Sequence, residues 1–122
     1  MATLTDITTG VQTITSAGAV TGSLDISGLS GDFTVKVRVT ALTAAKTAVI
    51  ALEDTVDAYT GKIQNAVVQV KGPIVPEAEK VFSFPGRELP ALRLGTTSAA
   101  CRINVLSVTG TPGLKLHAWI EQ

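Results

Sequence analysis

The stretch "DFTVKVRVT", residues 32 to 40, decides the fold. Phe33, Val35, Val37 and Val39 alternate with Thr34, Lys36, Arg38 and Thr40. Successive side chains of a β-strand point to opposite faces, so this pattern gives one dry face and one wet face. A strand of that kind needs a second layer to cover its valines.

Working outward, other segments repeat the pattern. "LKLHAWIEQ" (114–122) places Leu114, Leu116, Ala118 and Ile120 inward, with Lys115, His117, Trp119 and Glu121 outward. "ACRINVLSV" (100–108), "ALRLG" (91–95) and "NAVVQVKGP" (65–73) read as further strands, the last stopping at Gly72-Pro73. "KTAVIALEDTV" (46–56) is apolar on both faces, as a central covered strand or a short helix would be; its β-branched content favours the strand. Four of the five prolines fall in "PIVPEAEKVFSFPGRELP" (73–90). A proline lacks the donor a central strand needs, so this section reads as loop plus an edge strand at "KVFSF", with a turn at Pro85-Gly86. "TGTPG" (109–113) reads as a hairpin-type loop between the last two strands.

The first thirty residues are rich in Thr, Ser and Gly. "VQTIT" (11–15) and "AVTGSLDI" (19–26) still carry spaced apolar residues between Gly10, Gly18, Gly28 and Gly31, which suggests strand–turn–strand; a low-complexity linker has the same composition. Turn signals every 8–12 residues or so, and no apolar stripe of helical period, predict an all-β fold. The expectation is an antiparallel β-sandwich, jelly-roll-like, of about eight strands. Residues 1–122 form a single domain in this reading, with an extended N-terminal segment of about residues 1–15.

Composition narrows the function classes. Ten basic and ten acidic residues cancel, leaving no long-range field to gather phosphates, so nucleic acid is not an expected ligand. Near-zero charge with a 45% hydrophobic composition also favours assembly. The start "MATLTDITTG" has neither the basic nor the apolar region of a secretory signal, and no apolar run reaches the ~18 residues of a membrane span. A protein made in the cytoplasm, away from membranes, is expected.

Chemistry-bearing residues are sparse. His117 is the one imidazole, and its strand neighbours Lys115 and Trp119 supply neither an orienting carboxylate nor a nucleophile. One histidine and the single Cys101 cannot build a zinc site, and Cys101 reads as a buried small hydrophobe. Glu53, Asp54 and Asp57 lack the alternating acidic spacing of a calcium loop and read as solvated strand-end carboxylates. "GLSGDF" precedes a strand, so its glycines are turn chemistry and no phosphate cradle. No cofactor, metal or catalytic cluster is expected. Trp119 on an outward face is a contact residue, a residue covered by the chain's own N-terminal segment, or a sugar-stacking platform.

Taken in order, "TSAGAVTGSLDISGLSGDFTVKVRV", "ALEDTVDAYT", a proline-broken loop, "FPGRELPALRLGTTSAACRINV" and a terminal "AWIEQ" resemble small all-β virion proteins of tailed bacteriophages, of the capsid decoration or cement type. The resemblance covers most of the chain in texture and motif order. It implies a non-enzymatic structural role on the capsid exterior, a homotrimer bridging major capsid protein subunits. A tail or head-fibre base protein and a carbohydrate-binding module are the alternative readings. The expected contacts are Thr13 and Thr15 in the N-terminal segment, Phe84, Pro85 and Arg87 in the proline-rich loop, and His117 and Trp119 on the last strand.

Overall fold

In the computed structural model, Val35, Val37 and Val39 are fully buried, while Thr34, Lys36, Arg38 and Thr40 between them are half-buried. The structure describes residues 4–20, 22, 24–25, 33–54, 67–85 and 100–122. Ten strands lie in these segments: β1 (Leu4–Asp6), β2 (Gln12–Ile14), β3 (Gly18–Ala19), β4 (Leu24–Asp25), β5 (Thr34–Ala41), β6 (Thr47–Asp54), β7 (Val67–Lys71), β8 (Lys80–Pro85), β9 (Ala100–Val108) and β10 (Leu114–Glu121). A 3₁₀ turn, Pro76–Ala78, precedes β8.

The strands form two antiparallel sheets. Sheet A runs β1–β10–β5–β8, with β2 also on β10; sheet B runs β3–β9–β6–β7, with β4 also on β9. β1 lies opposite Trp119–Glu121 and β2 opposite Leu114–Leu116, so the two are successive pieces of one edge. β3 and β4 divide the edge of β9 in the same manner. Counting each broken edge as one strand leaves eight positions, with chain-order sequences 1-8-3-6 and 2-7-4-5. That connectivity is a jelly roll, as the strand spacing predicts.

The two inner faces meet in one core. Sheet A supplies Val35, Val37, Val39, Leu116, Ala118 and Ile120; sheet B supplies Ala48, Ile50, Leu52, Ile103 and Val105. Branched aliphatics fill a thin layer, and burying each contributes about 1.5–3 kcal/mol. β6 is central, paired with both β7 and β9, and so is apolar on both faces as its sequence reads.

Two expectations change. The loop 109–113 is no hairpin: β9 belongs to sheet B and β10 to sheet A, so the loop crosses between the sheets. The crossing is fixed by packing rather than turn chemistry. Pro112 is buried, and its carbonyl accepts a bond from Thr43 N at 2.8 Å. Gly113, at φ 60°, leaves no room for a side chain beside the Thr43 hydroxyl. Second, "AVTGSLDI" splits into β3 and β4 around Gly22, whose φ of 116° and close approach to the Ile7 carbonyl admit only glycine. The strand predicted at 91–95 lies outside the described residues, as does Gly86 of the predicted turn, while Pro85 ends β8.

Candidate contact site on the outer face of sheet A

The most structured polar arrangement among the described residues sits on the outer face of sheet A. Cross-strand pairing builds it. Trp119 on β10 is opposite Asp6 on β1 and Lys36 on β5, and His117 is opposite Arg38. Directly opposed residues share a face, so these side chains meet. Asp6, Arg38, His117, Trp119 and Glu121 line an open cleft of about 210 Å³.

Trp119 faces outward, yet it is only 7% exposed. Arg38 covers its ring, with the guanidinium carbon 5.0 Å from the ring centroid. The His117 ring lies 5.1 Å away at 34°. The indole N–H donates to Glu121 Oε1 at 3.2 Å. A cation over an indole face is attracted by the ring quadrupole, so Arg38 both hides and holds the tryptophan. Of the three readings open for Trp119, this cover is closest to the second, except that Arg38 of β5 provides it.

The basic side chains around the ring each stand beside a carboxylate. Lys36 Nζ is 3.9 Å from Glu121 Oε2, and His117 Nε2 is 2.8 Å from Asp6 Oδ1. Arg38 Nε is 3.3 Å from Glu79 Oε1, near enough for charge attraction, but it lacks the alignment of a hydrogen bond with any partner. The His117–Asp6 contact corrects the sequence reading, in which His117 has no orienting carboxylate. Asp6 lies 111 positions away and is invisible to strand-neighbour reasoning. The dyad has no hydroxyl or thiol nucleophile among the described residues lining the cleft.

The other expected contact residues scatter. Thr13 and Thr15 are exposed, Thr13 on β2 opposite Lys115 and Thr15 just beyond it. Pro85 is exposed at the end of β8. Phe84 is a correction: at 6% exposure it belongs to the core cluster, opposite Val35, and offers no ring to a partner. The alternation of "KVFSF" carries the signal, since Phe82 and Phe84 share one face and Phe82 also packs on the core. Arg87 lies outside the described residues.

Sequence reasoning missed a second polar cluster, on the outer face of sheet B. Glu53 and Asp54 are not solvated strand ends, being 1% and 3% exposed; Asp57 lies outside the described residues. Arg102 Nε bonds Glu53 Oε1 at 3.1 Å, and Asn104 Nδ2 donates to Glu53 Oε2 at 2.8 Å. Asp54 lies opposite Cys101 on the inner face.

Cys101 is fully buried. Burial, and then the charge of Asp54, pushes its thiol from 9.0 up to about 12. The folded protein therefore keeps this proton where the unfolded chain gives it up. The associated stability is complete below about pH 9 and is lost as pH climbs toward 12. The native thiol should resist aromatic disulfide reagents at pH 8 and react only on unfolding. Between pH 9 and pH 11 the urea midpoint should fall more steeply for the natural chain than for Cys101→Ala.

Among the described residues no group of three or more His, Cys, Asp or Glu side chains is placed to hold a metal, and no helix is long and apolar enough to cross a membrane. No protein-family model, curated protein or solved structure matches this chain.

Proposed function

We propose that the chain is a non-enzymatic structural subunit of a tailed-phage virion, a capsid decoration protein that assembles as a homotrimer on the major capsid protein lattice. The observation that carries this reading is the outer face of sheet A. Lys36, Arg38 and His117 each stand beside a carboxylate and the one tryptophan is sealed under an arginine, so the centre of the face has its charges paired within the chain and presents no open ring. A surface of that kind suits extended contact with a protein lattice, where many weak contacts repeated by symmetry accumulate. The jelly roll is common in viral shells, but it also serves lectins and cupins, so it adds only fold-level support.

The carbohydrate-binding alternative is weakened by the same feature. A sugar platform presents an open ring, and Trp119 lies beneath Arg38. The tail or head-fibre base reading differs chiefly in copy number.

Quantitative mass spectrometry of purified particles tests the proposal. Decoration requires hundreds of copies per particle; a count suited to a single tail or fibre base would transfer the chain to that role. Thr13→Glu with Thr15→Glu, at exposed positions and with residue 13 opposite Lys115, should weaken particle binding without lowering the unfolding midpoint. Undiminished binding would remove the N-terminal segment from the contact surface.

A further inference from the structure

A line of contacts crosses sheet A from edge to edge. Asp6 on β1 holds His117, His117 packs on Trp119, Arg38 covers Trp119, and Glu79 just ahead of β8 pairs with Arg38. The two end carboxylates come from the sheet's flanks and fasten them to the two central strands. Only one link can change its charge near neutral pH, because guanidinium and ammonium groups stay charged where an imidazole does not.

We propose that His117 is a protonation-controlled latch that holds the N-terminal strand β1 on sheet A. The latch closes when the imidazole is charged and slackens when it is neutral. This inference is independent of what the protein binds.

The local structure makes β1 the piece to be released. It is three residues long and lies at the edge, paired only with β10 among the described strands. Beyond it the backbone bonds are shared: the amides of Ile7 and Thr8 both donate to the Ala118 carbonyl, at 2.9 and 3.2 Å. The Ala118 amide in turn donates to the Thr8 hydroxyl at 3.0 Å. Asp6 sits immediately before these bonds, so its grip on His117 bears directly on them.

The charges around the imidazole decide which way the latch works. From β1 it meets Asp6, in direct contact. From β10 come Lys115 and Glu121, two and four residues away; from β5 come Lys36 and Arg38; and Glu79 stands beyond Arg38. Lys36 is balanced by Glu121 and Arg38 by Glu79, which leaves Asp6 as the nearest uncommitted charge. Protonating His117 therefore completes a third ion pair. Losing that proton removes the ion-pair attraction and leaves a neutral imidazole as the partner of the Asp6 carboxylate, a weaker contact. Release of β1 would bare the Trp119–Glu121 end of β10, an unpaired edge that another strand could take.

Amide hydrogen exchange of the intact chain, corrected for intrinsic rates and followed from about pH 5.5 to 8, tests the latch. The Ile7, Thr8 and Ala118 amides should lose about two- to five-fold protection as the imidazole discharges. Protection in β6, far from the latch, should stay level. His117→Gln should abolish the pH dependence. Asp6→Asn, at an exposed side chain, should flatten the pH dependence of these three amides, because the carboxylate that attracts the charged imidazole is gone. Protection unchanged across that pH range, or a pH-dependent loss that survives either His117→Gln or Asp6→Asn, would overturn the proposal.

Discussion

Leu116→Ala should cut the stability of this protein by about 2–5 kcal/mol, the cost of a large core side chain and the cavity it leaves. With a urea slope of about 1–3 kcal/mol per molar, the unfolding midpoint should move down by roughly 0.7–5 M. Leu116 is fully buried and lies opposite Val39 across the β10–β5 ladder, where the inner face of sheet A meets the core. Its neighbour Lys115 is exposed on the outer side of the same strand, so Lys115→Ala should change stability by less than about 0.5 kcal/mol. The contrast between adjacent positions is the test. Equal effects would mean that β10 does not divide an inner from an outer face. The whole two-layer architecture would then fail.

That contrast was legible in the sequence because a strand's side-chain period is a local property. β5, β9 and β10 each carry four or five alternating positions, enough to fix their faces from the residues alone. What alternation does not encode is which strand lies beside which. "TGTPG" has the composition of a hairpin turn, yet its ends enter different sheets, because Pro112 and Gly113 are held against Thr43 from the β5–β6 connection. The deciding contact is some seventy residues away along the chain, and a turn rule has no access to it.

The contact site failed to read for the same reason. His117 was visible as an outward residue with no partner on its own strand. Its partner Asp6 arrives through the pairing of β1 with β10, at opposite ends of the chain. Trp119 reads as outward, and it is outward; its burial depends on an arginine of β5 lying flat over the ring. Phe84 is different, because the alternation of "KVFSF" already placed it beside Phe82 on one face. There the proline-rich composition of the surrounding segment masks a usable periodic signal.

The acidic run at the end of β6 shows how far register matters. "ED" at 53–54 looks like a strand end meeting water, and isolated buried carboxylates are rare enough to make that the natural reading. The register instead sets Glu53 directly opposite Arg102 and next to the Ala51–Asn104 pair, so its two oxygens have partners from one neighbouring strand. Burial becomes tolerable because both oxygens are bonded.

From this follows the second large effect. Arg102→Leu should destabilise the fold by about 2–4 kcal/mol, because it strands the Glu53 carboxylate in a buried site after removing its cationic partner, with Asn104 still bonded to it. Arg102 itself is 28% exposed along its side chain and Glu53 only 2%, so the two single substitutions are unequal. Glu53→Leu leaves behind an arginine that can still reach water, and it should cost less than Arg102→Leu. Replacing both residues with leucine removes the stranded charge as well as the pair, and should recover most of the loss. A urea double-mutant cycle measures all three. If Arg102→Leu is neutral, or if the double substitution is as costly as the two singles added together, then the pair does not neutralise a buried charge. Arg102 and Glu53 would in that case be no more than neighbours on the sheet.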